Sequence, residues 1–206
     1  MTQSAPSLGK YFAPGTSVAL FGGSFDPPHE GHHQLSLAAL RALGLDAVWW
    51  LVSPQNPLKT HQPQDMAQRL DACRKLARHP KIFVSDEENR LGTQYAIDTV
   101  RQLKARHHGV HFVWLMGSDS LASLHRWKQW QELVQEIPLV IYPRPGTTLK
   151  ALSSKAAQRF QAHRIDPAQA ASFKNLSAPA WMILSGKHSD LSSSALRQNE
   201  GALKHQ

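Results

Sequence analysis

The sequence predicts a Rossmann-like α/β fold: a doubly wound parallel sheet with helices on both faces, in a single domain. Three observations lead there. Short apolar runs alternate with stretches whose apolar residues recur at helical spacing, and repeated strand–helix units build a parallel sheet covered on both sides. The strand candidates are almost wholly apolar, Ala47–Val52 (AVWWLV) most plainly, as strands buried on both faces must be. No fixed-period repeat, low-complexity tract or long linker divides the chain.

Taken in order, Val18–Phe21 reads as a strand that ends at Gly22–Gly23. Leu35–Leu43 reads as a helix, with Gly44 placed to stop it. Ala47–Val52 is the second strand, and Met66, Leu70, Cys73 and Leu76 mark the next helix. Lys81–Ser85 is a strand, Tyr95–Arg106 a helix, His111–Met116 a strand and Leu121–Trp130 a helix. Leu139–Tyr142, Leu149–His163, Trp181–Leu184 and Ser193–Lys204 continue the alternation as strand, helix, strand and helix. Residues 1–15 are read as a flexible N-terminal extension and 16–206 as the domain.

Composition narrows the partners. The chain has 206 residues, 41% of them hydrophobic, enough to bury roughly 70% of the unfolded surface without a covalent staple. Cys73 is the single cysteine, so no disulfide forms within the chain, and its place on an apolar stripe makes it packing. A net charge of +8 points to anions: nucleotides, nucleic acid or acidic lipid. Lys and Arg are scattered, without a basic run or an RNA-binding stacking motif, so no nucleic-acid partner is expected. The stretches Arg69–Arg78 and Arg101–His108 are read as solvated faces, and Trp49 and Trp50 as core. Met1–Gly15 lacks a basic start followed by an apolar segment, and no apolar run is long enough for a bilayer. A cytoplasmic protein with no membrane partner, monomeric or a small homo-oligomer, is the expectation.

In open doubly wound sheets, ligands sit beyond the carboxyl ends of the strands. The loop after the first strand, Gly22–His33, is GGSFDPPHEGHH. Its glycines allow a ligand close to the backbone. His29 and His32 stand near the start of the following helix, where unpaired amides and the helix dipole favour an anion. Imidazoles there donate to phosphate oxygens and have a pKa that a bound phosphate raises. The same letters also match the H-E-x-x-H zinc pattern, with His29 and His33 as ligands and Glu30 as base. That reading needs two histidines four apart on an established helix. Pro27, Pro28 and Gly31 oppose such a helix here, so a zinc hydrolase is the remote alternative.

GGSFDPPHEGH resembles the GGxFDPxHxGH signature of the HxGH nucleotidyltransferase superfamily. Further stretches resemble bacterial nicotinate-nucleotide adenylyltransferases: SPQNPLK (Ser53–Lys59), GTQYAIDT (Gly92–Thr99), GSDSLASLHRWKQW (Gly117–Trp130), RPG (Arg144–Gly146) and DLSSSALR (Asp190–Arg197). The resemblance implies that ATP and nicotinate mononucleotide give nicotinate adenine dinucleotide and pyrophosphate, with Mg2+ bound mainly through the ATP phosphates and no metal held by protein side chains alone. It makes His29 and His32 the catalytic pair. It places ATP against Gly22, Gly23, Ser24, Phe25, Gly117, Asp119, Arg144, Ser193, Ser194 and Arg197. It places the mononucleotide against Asn56, Lys59, Tyr95, Ala96, Trp127 and Lys128. Tyr95-Ala96 departs from the family's Tyr-Thr, which leaves nicotinamide mononucleotide as an alternative substrate; phosphopantetheine is another.

Overall fold

Six strands hydrogen-bond in the order β3-β2-β1-β4-β5-β6, every neighbouring pair parallel. They are β1 (Ser17–Gly23), β2 (Ala47–Val52), β3 (Ile82–Ser85), β4 (His111–Gly117), β5 (Leu139–Tyr142) and β6 (Trp181–Ile183). The computed structural model describes residues 12–54 and 64–185. The predicted closing helix Ser193–Lys204 lies outside them.

Strand alternation builds two cores. In β2, Ala47, Trp49 and Leu51 face one side of the sheet and Val48, Trp50 and Val52 the other. On the second side, α1 (Glu30–Leu43) contributes Leu35, Ala39, Leu40 and Leu43, and α2 (Met66–Leu76) contributes Leu70 and Cys73. α9 (Ala170–Phe173) adds Phe173. The first side is covered by α4 (Ala96–Arg106), α5 (Ser118–Ser123), α6 (Trp130–Glu136), α7 (Thr148–Leu152) and α8 (Lys155–Arg159). Trp49 and Trp50 are wholly buried, and their indole N–H groups donate to Ser85 Oγ and Ser36 Oγ, both at 2.8 Å. They are core, as expected.

Several boundaries differ from the sequence reading, for physical reasons. Helix α1 begins at Glu30, directly after the Pro27–Pro28 pair, because His29 supplies its N-cap. Gly44 ends it in the left-handed region at φ 60°, as predicted. The stretch 86–92, between the predicted strand Lys81–Ser85 and the predicted helix Tyr95–Arg106, contains α3 (Glu87–Leu91), closed by Gly92 at φ 65°. The predicted helix Leu149–His163 is broken into α7, α8 and a 3-10 turn at Gln161–His163. Ser154 N-caps α8 by accepting from the Ala157 amide, and that local bond ends the preceding turn. Leu121–Trp130 is likewise divided among α5, a 3-10 turn at Leu124–Arg126 and the start of α6.

The extension assigned to residues 1–15 packs at its described end. Phe12 is buried against Trp49 and edge-on to Phe83, with ring centroids at 5.6 and 5.7 Å. Cys73 is buried and its thiol is pushed up to about 12, which makes it inert packing. The face Arg69–Arg78 needs a correction: Arg74, Lys75 and Arg78 are exposed, but Arg69 is buried. Among the described residues no helix is long and apolar enough to cross a membrane.

Candidate active site

The strand order reverses between β1 and β4, so the loops leaving these two strands part and open a crevice at their carboxyl ends. β1 delivers Gly22–Phe25 there. A Cβ on Gly22 would stand 3.0 Å from the Trp114 ring, so any larger residue would press on that ring. Phe25 sits in the left-handed region at φ 46°, a conformation costing about 1 kcal/mol for a side-chain-bearing residue. Its ring is held in the core, stacked on Trp50 at 5.0 Å and 12°.

His29 is the N-cap of α1, with extended backbone, and its amide donates to Nδ1 of His32 at 3.0 Å. The His32 amide returns a bond to the His29 carbonyl at 2.8 Å. This reciprocal turn brings the two imidazoles together, centroids 3.7 Å apart and planes tilted by 37°. Both residues are buried, and neither ring nitrogen of His29 has a partner among the described residues. Burial pulls the His29 pKa down to about 4; the charge of Arg144 acts in the same direction and that of Asp119 against it. A buried imidazole without a hydrogen-bond partner among the described residues thus lies within the field of a cation and a carboxylate arriving from two other strands.

Those two come from the ends of β4 and β5. Arg144 Nη1 lies 3.4 Å from Asp119 Oδ2. The Arg144 amide donates to Ser118 Oγ at 2.9 Å, and the Ser118 and Thr147 hydroxyls bond at 2.7 Å. A Cβ on Gly117 would overlap Asp119 Oδ1 and stand 2.8 Å from Arg144 Nε, so one of those side chains would have to move.

A third group lies at the start of α4. Tyr95 is its N-cap, and Lys128 Nζ sits 4.4 Å above the Tyr95 ring and 3.2 Å from Asp98 Oδ2. These residues border an open cavity of about 440 Å³ that Arg101 also lines. Ala96 is the first residue of α4. Trp127 lies apart from this cavity and meets Trp114 edge-on at 6.3 Å, linking it through that ring to Gly22.

The structure therefore joins the first loop, His29, His32, Asp119 and Arg144, and separately Tyr95 with Lys128. Asn56, Lys59, Ser193, Ser194 and Arg197 lie outside the described residues. Two residues here escaped the sequence reading. Glu88 on α3 is buried, and burial raises its pKa to about 7 against the Thr99 hydroxyl, 3.5 Å from Oε1. An acidic run, Asp86–Glu88, followed by Gly92 was the available signal for its helix. The other is Arg69, hidden in what read as a charged face.

The zinc geometry does not form. His29 caps the helix and does not belong to its face, and His33 Nδ1 bonds Glu30 Oε1 at 3.1 Å. Among the described residues no group of three or more His, Cys, Asp or Glu is placed to hold a metal ion.

A glycine loop and a capping histidine pair at the switch point of a parallel sheet define the class: an α/β protein built to hold a nucleotide. A model of the family described as Cytidylyltransferase-like matches residues 20–199. A protein of Caulobacter sp. (strain K31) named "Probable nicotinate-nucleotide adenylyltransferase" is 50% identical over 181 residues, covering 87% of this chain and 96% of that one. One of the same name from Parvibaculum lavamentivorans is 48% identical over 189 residues, covering 91% and 94%. The chain belongs to the nicotinate-nucleotide adenylyltransferases of the cytidylyltransferase-like family. The fold is that of Plasmodium falciparum nicotinic acid mononucleotide adenylyltransferase solved with NaAD, at a TM-score of 0.65 and 19% identity, covering 89% of this chain and 83% of that one.

Proposed function

We propose that this chain transfers the adenylyl group of ATP to nicotinate mononucleotide, giving nicotinate adenine dinucleotide and pyrophosphate. The observation that carries the proposal is the buried His29 imidazole at the switch point, paired with His32 and with neither ring nitrogen hydrogen-bonded among the described residues. The names of relatives at 48% and 50% identity support the same reading.

The chemistry follows from the charges. A phosphate oxygen of the mononucleotide attacks the ATP α-phosphorus in line. The new P–O bond forms as the bond to the β-phosphate oxygen breaks, and pyrophosphate leaves with that electron pair. The nucleophile is already an anion, so no serine, cysteine or general base is needed. The protein's work is alignment and neutralisation of charge. In this proposal His29 and His32 donate to the phosphates at the transferred group. Backbone amides of Gly22–Phe25 approach them from below, and Arg144 holds the triphosphate. Asp119 accepts from the adenosine ribose. Tyr95, Ala96, Trp127 and Lys128 frame the nicotinate end, with main-chain amides of Ala96 and Lys128 toward its carboxylate.

In this proposal a Mg2+ ion is carried mainly on the ATP phosphates, as the family resemblance implies, and Asp119 is engaged by Arg144. When bound, the ion neutralises charge on the leaving pyrophosphate. Ser193, Ser194 and Arg197 keep their place against ATP, and Asn56 and Lys59 theirs against the mononucleotide, from the family resemblance.

The test is a pyrophosphate-release assay with ATP and, in turn, nicotinate mononucleotide, nicotinamide mononucleotide and phosphopantetheine. Turnover with the first and little with the others is expected. Preference for either of the others would reassign the substrate, and no pyrophosphate with any of the three would remove the proposal.

A further inference from the structure

Arg69, on α2, is 2% exposed, and every one of its five N–H groups has an acceptor. Nε donates to Gln64 O at 2.9 Å. Nη1 donates to Ser24 O at 2.7 Å and Ser53 O at 2.8 Å. Nη2 donates to Pro54 O at 3.2 Å and reaches Met66 Sδ at 3.7 Å. One guanidinium thus holds the glycine loop, the end of β2 and Gln64, which precedes the N-cap of α2, three pieces of chain that meet at the carboxyl edge of the sheet. Leu70 and Cys73 already pack α2 against the sheet, so attachment of the helix does not require a buried cation. Burying one carries a large desolvation cost, offset here by the four carbonyls and by the charge of Asp26.

The consequence lies in peptide geometry. A trans peptide sets its carbonyl and N–H in opposite directions. With Ser24 O aimed at Arg69, the Phe25 amide faces away from it. Ser53 N–H holds Gly23 O at 2.9 Å, so the Ser24 amide is turned likewise. Both bonds lock the turn that places Phe25 at φ 46°, the strained position of the loop.

We infer that Arg69 is a positioning residue for nucleotide transfer: by holding the carbonyls of Ser24, Ser53 and Pro54, it fixes the amides of the glycine loop toward the phosphates before ligand arrives. This rests on the adenylyl-transfer reading above. Lysine cannot replace it, because an ammonium presents three donors from one point and no planar fork.

The test uses the full chain with Arg69→Lys and Arg69→Met. Hydrogen exchange across residues 22–33, read by mass spectrometry without substrates, should speed up in both variants while exchange in β4 stays unchanged. In the dinucleotide-synthesis assay, kcat/KM for ATP should fall about 10²-fold, with KM for ATP raised. A smaller folded fraction alone would lower kcat at constant KM. Added methylguanidinium should restore part of the activity of an Arg69→Ala variant. Unchanged exchange in 22–33, unchanged KM for ATP, or failure of all three variants to fold would overturn the assignment; the last would make Arg69 a determinant of the fold and not of the loop. If the wild-type protein makes no dinucleotide, the function reading fails, and the exchange experiment still decides the place of Arg69.

Discussion

The imidazole of His29 lies 3.7 Å from that of His32, and the His29 amide donates to the Nδ1 of its neighbour. That bond makes Nδ1 of His32 an acceptor, so the neutral ring carries its proton on Nε2 and presents a donor there. The capping turn thereby sets the tautomer of one histidine while leaving both nitrogens of the other without a protein partner among the described residues.

Removing either ring should stop transfer without unfolding the chain. His29→Ala and His32→Ala are each expected to lower kcat about 10²- to 10³-fold. His33→Ala and Glu30→Gln should change it by only about twofold, since those side chains pair with each other on the flank of α1. Steady-state kinetics with thermal melts as a control checks this. Essential His33 and Glu30 beside a dispensable His32 would restore the zinc reading.

The depressed His29 pKa makes stability and ATP binding depend on pH in predictable directions. Unfolded His29 titrates at 6.5 and folded His29 at about 4. Between those values the unfolded chain binds the extra proton, so stability falls as pH drops through this window. His29→Gln should flatten the decline in Tm from about pH 6.5 to about pH 4.5. A bound phosphate pushes the imidazole pKa upward, so ATP binding at about pH 5.5 should take up a proton. Calorimetry in two buffers of different ionisation enthalpy should show that uptake, and His29→Gln should abolish it.

Glu88 works in the opposite sense. Its folded pKa of about 7 exceeds the ordinary 4.5, so the native state binds the extra proton between them. The stabilisation is complete below 4.5 and is lost as pH rises through 7. Glu88→Gln keeps the shape and removes the charge. Its Tm should exceed that of the wild type by a few degrees at about pH 8 and match it at about pH 4.5. Equal melting curves at both pH values would remove burial of the charge as the cause.

Gly117→Ala tests the ribose assignment. The added methyl meets Asp119 Oδ1 and Arg144 Nε, so one of these side chains must move. We expect KM for ATP to rise and kcat/KM to fall about 10- to 10²-fold, with Tm lowered by only a few degrees. Wild-type kinetics in this variant would remove Asp119 from the ATP site.

Much of the site was legible because its residues are close in sequence. Gly22 to His32 need only one turn to come together, and two prolines with a following helix supply it. Arg69 was not legible: Arg69, Arg74, Lys75 and Arg78 look alike along one helix, and only the fold turns the first of them beneath Ser24. Glu88 was hidden for a similar reason, since a short acidic helix reads as a solvated turn until Gly22 and Thr99 close over it.

The sequence by itself determined the alternation of strand and helix, the two-sided burial of β2 and the placing of glycine, histidine and proline at the first loop. Local sterics and apolar periodicity act over a few residues, and they are written in order along the chain. Only the tertiary structure decided that His29 feels the charges of Asp119 and Arg144, 90 and 115 positions away in the chain, and that Arg69 lies inside. Electrostatic shifts and the burial of a charge arise from what surrounds a group in space, and the surroundings here come from strands that are neighbours in the sheet and distant in the chain.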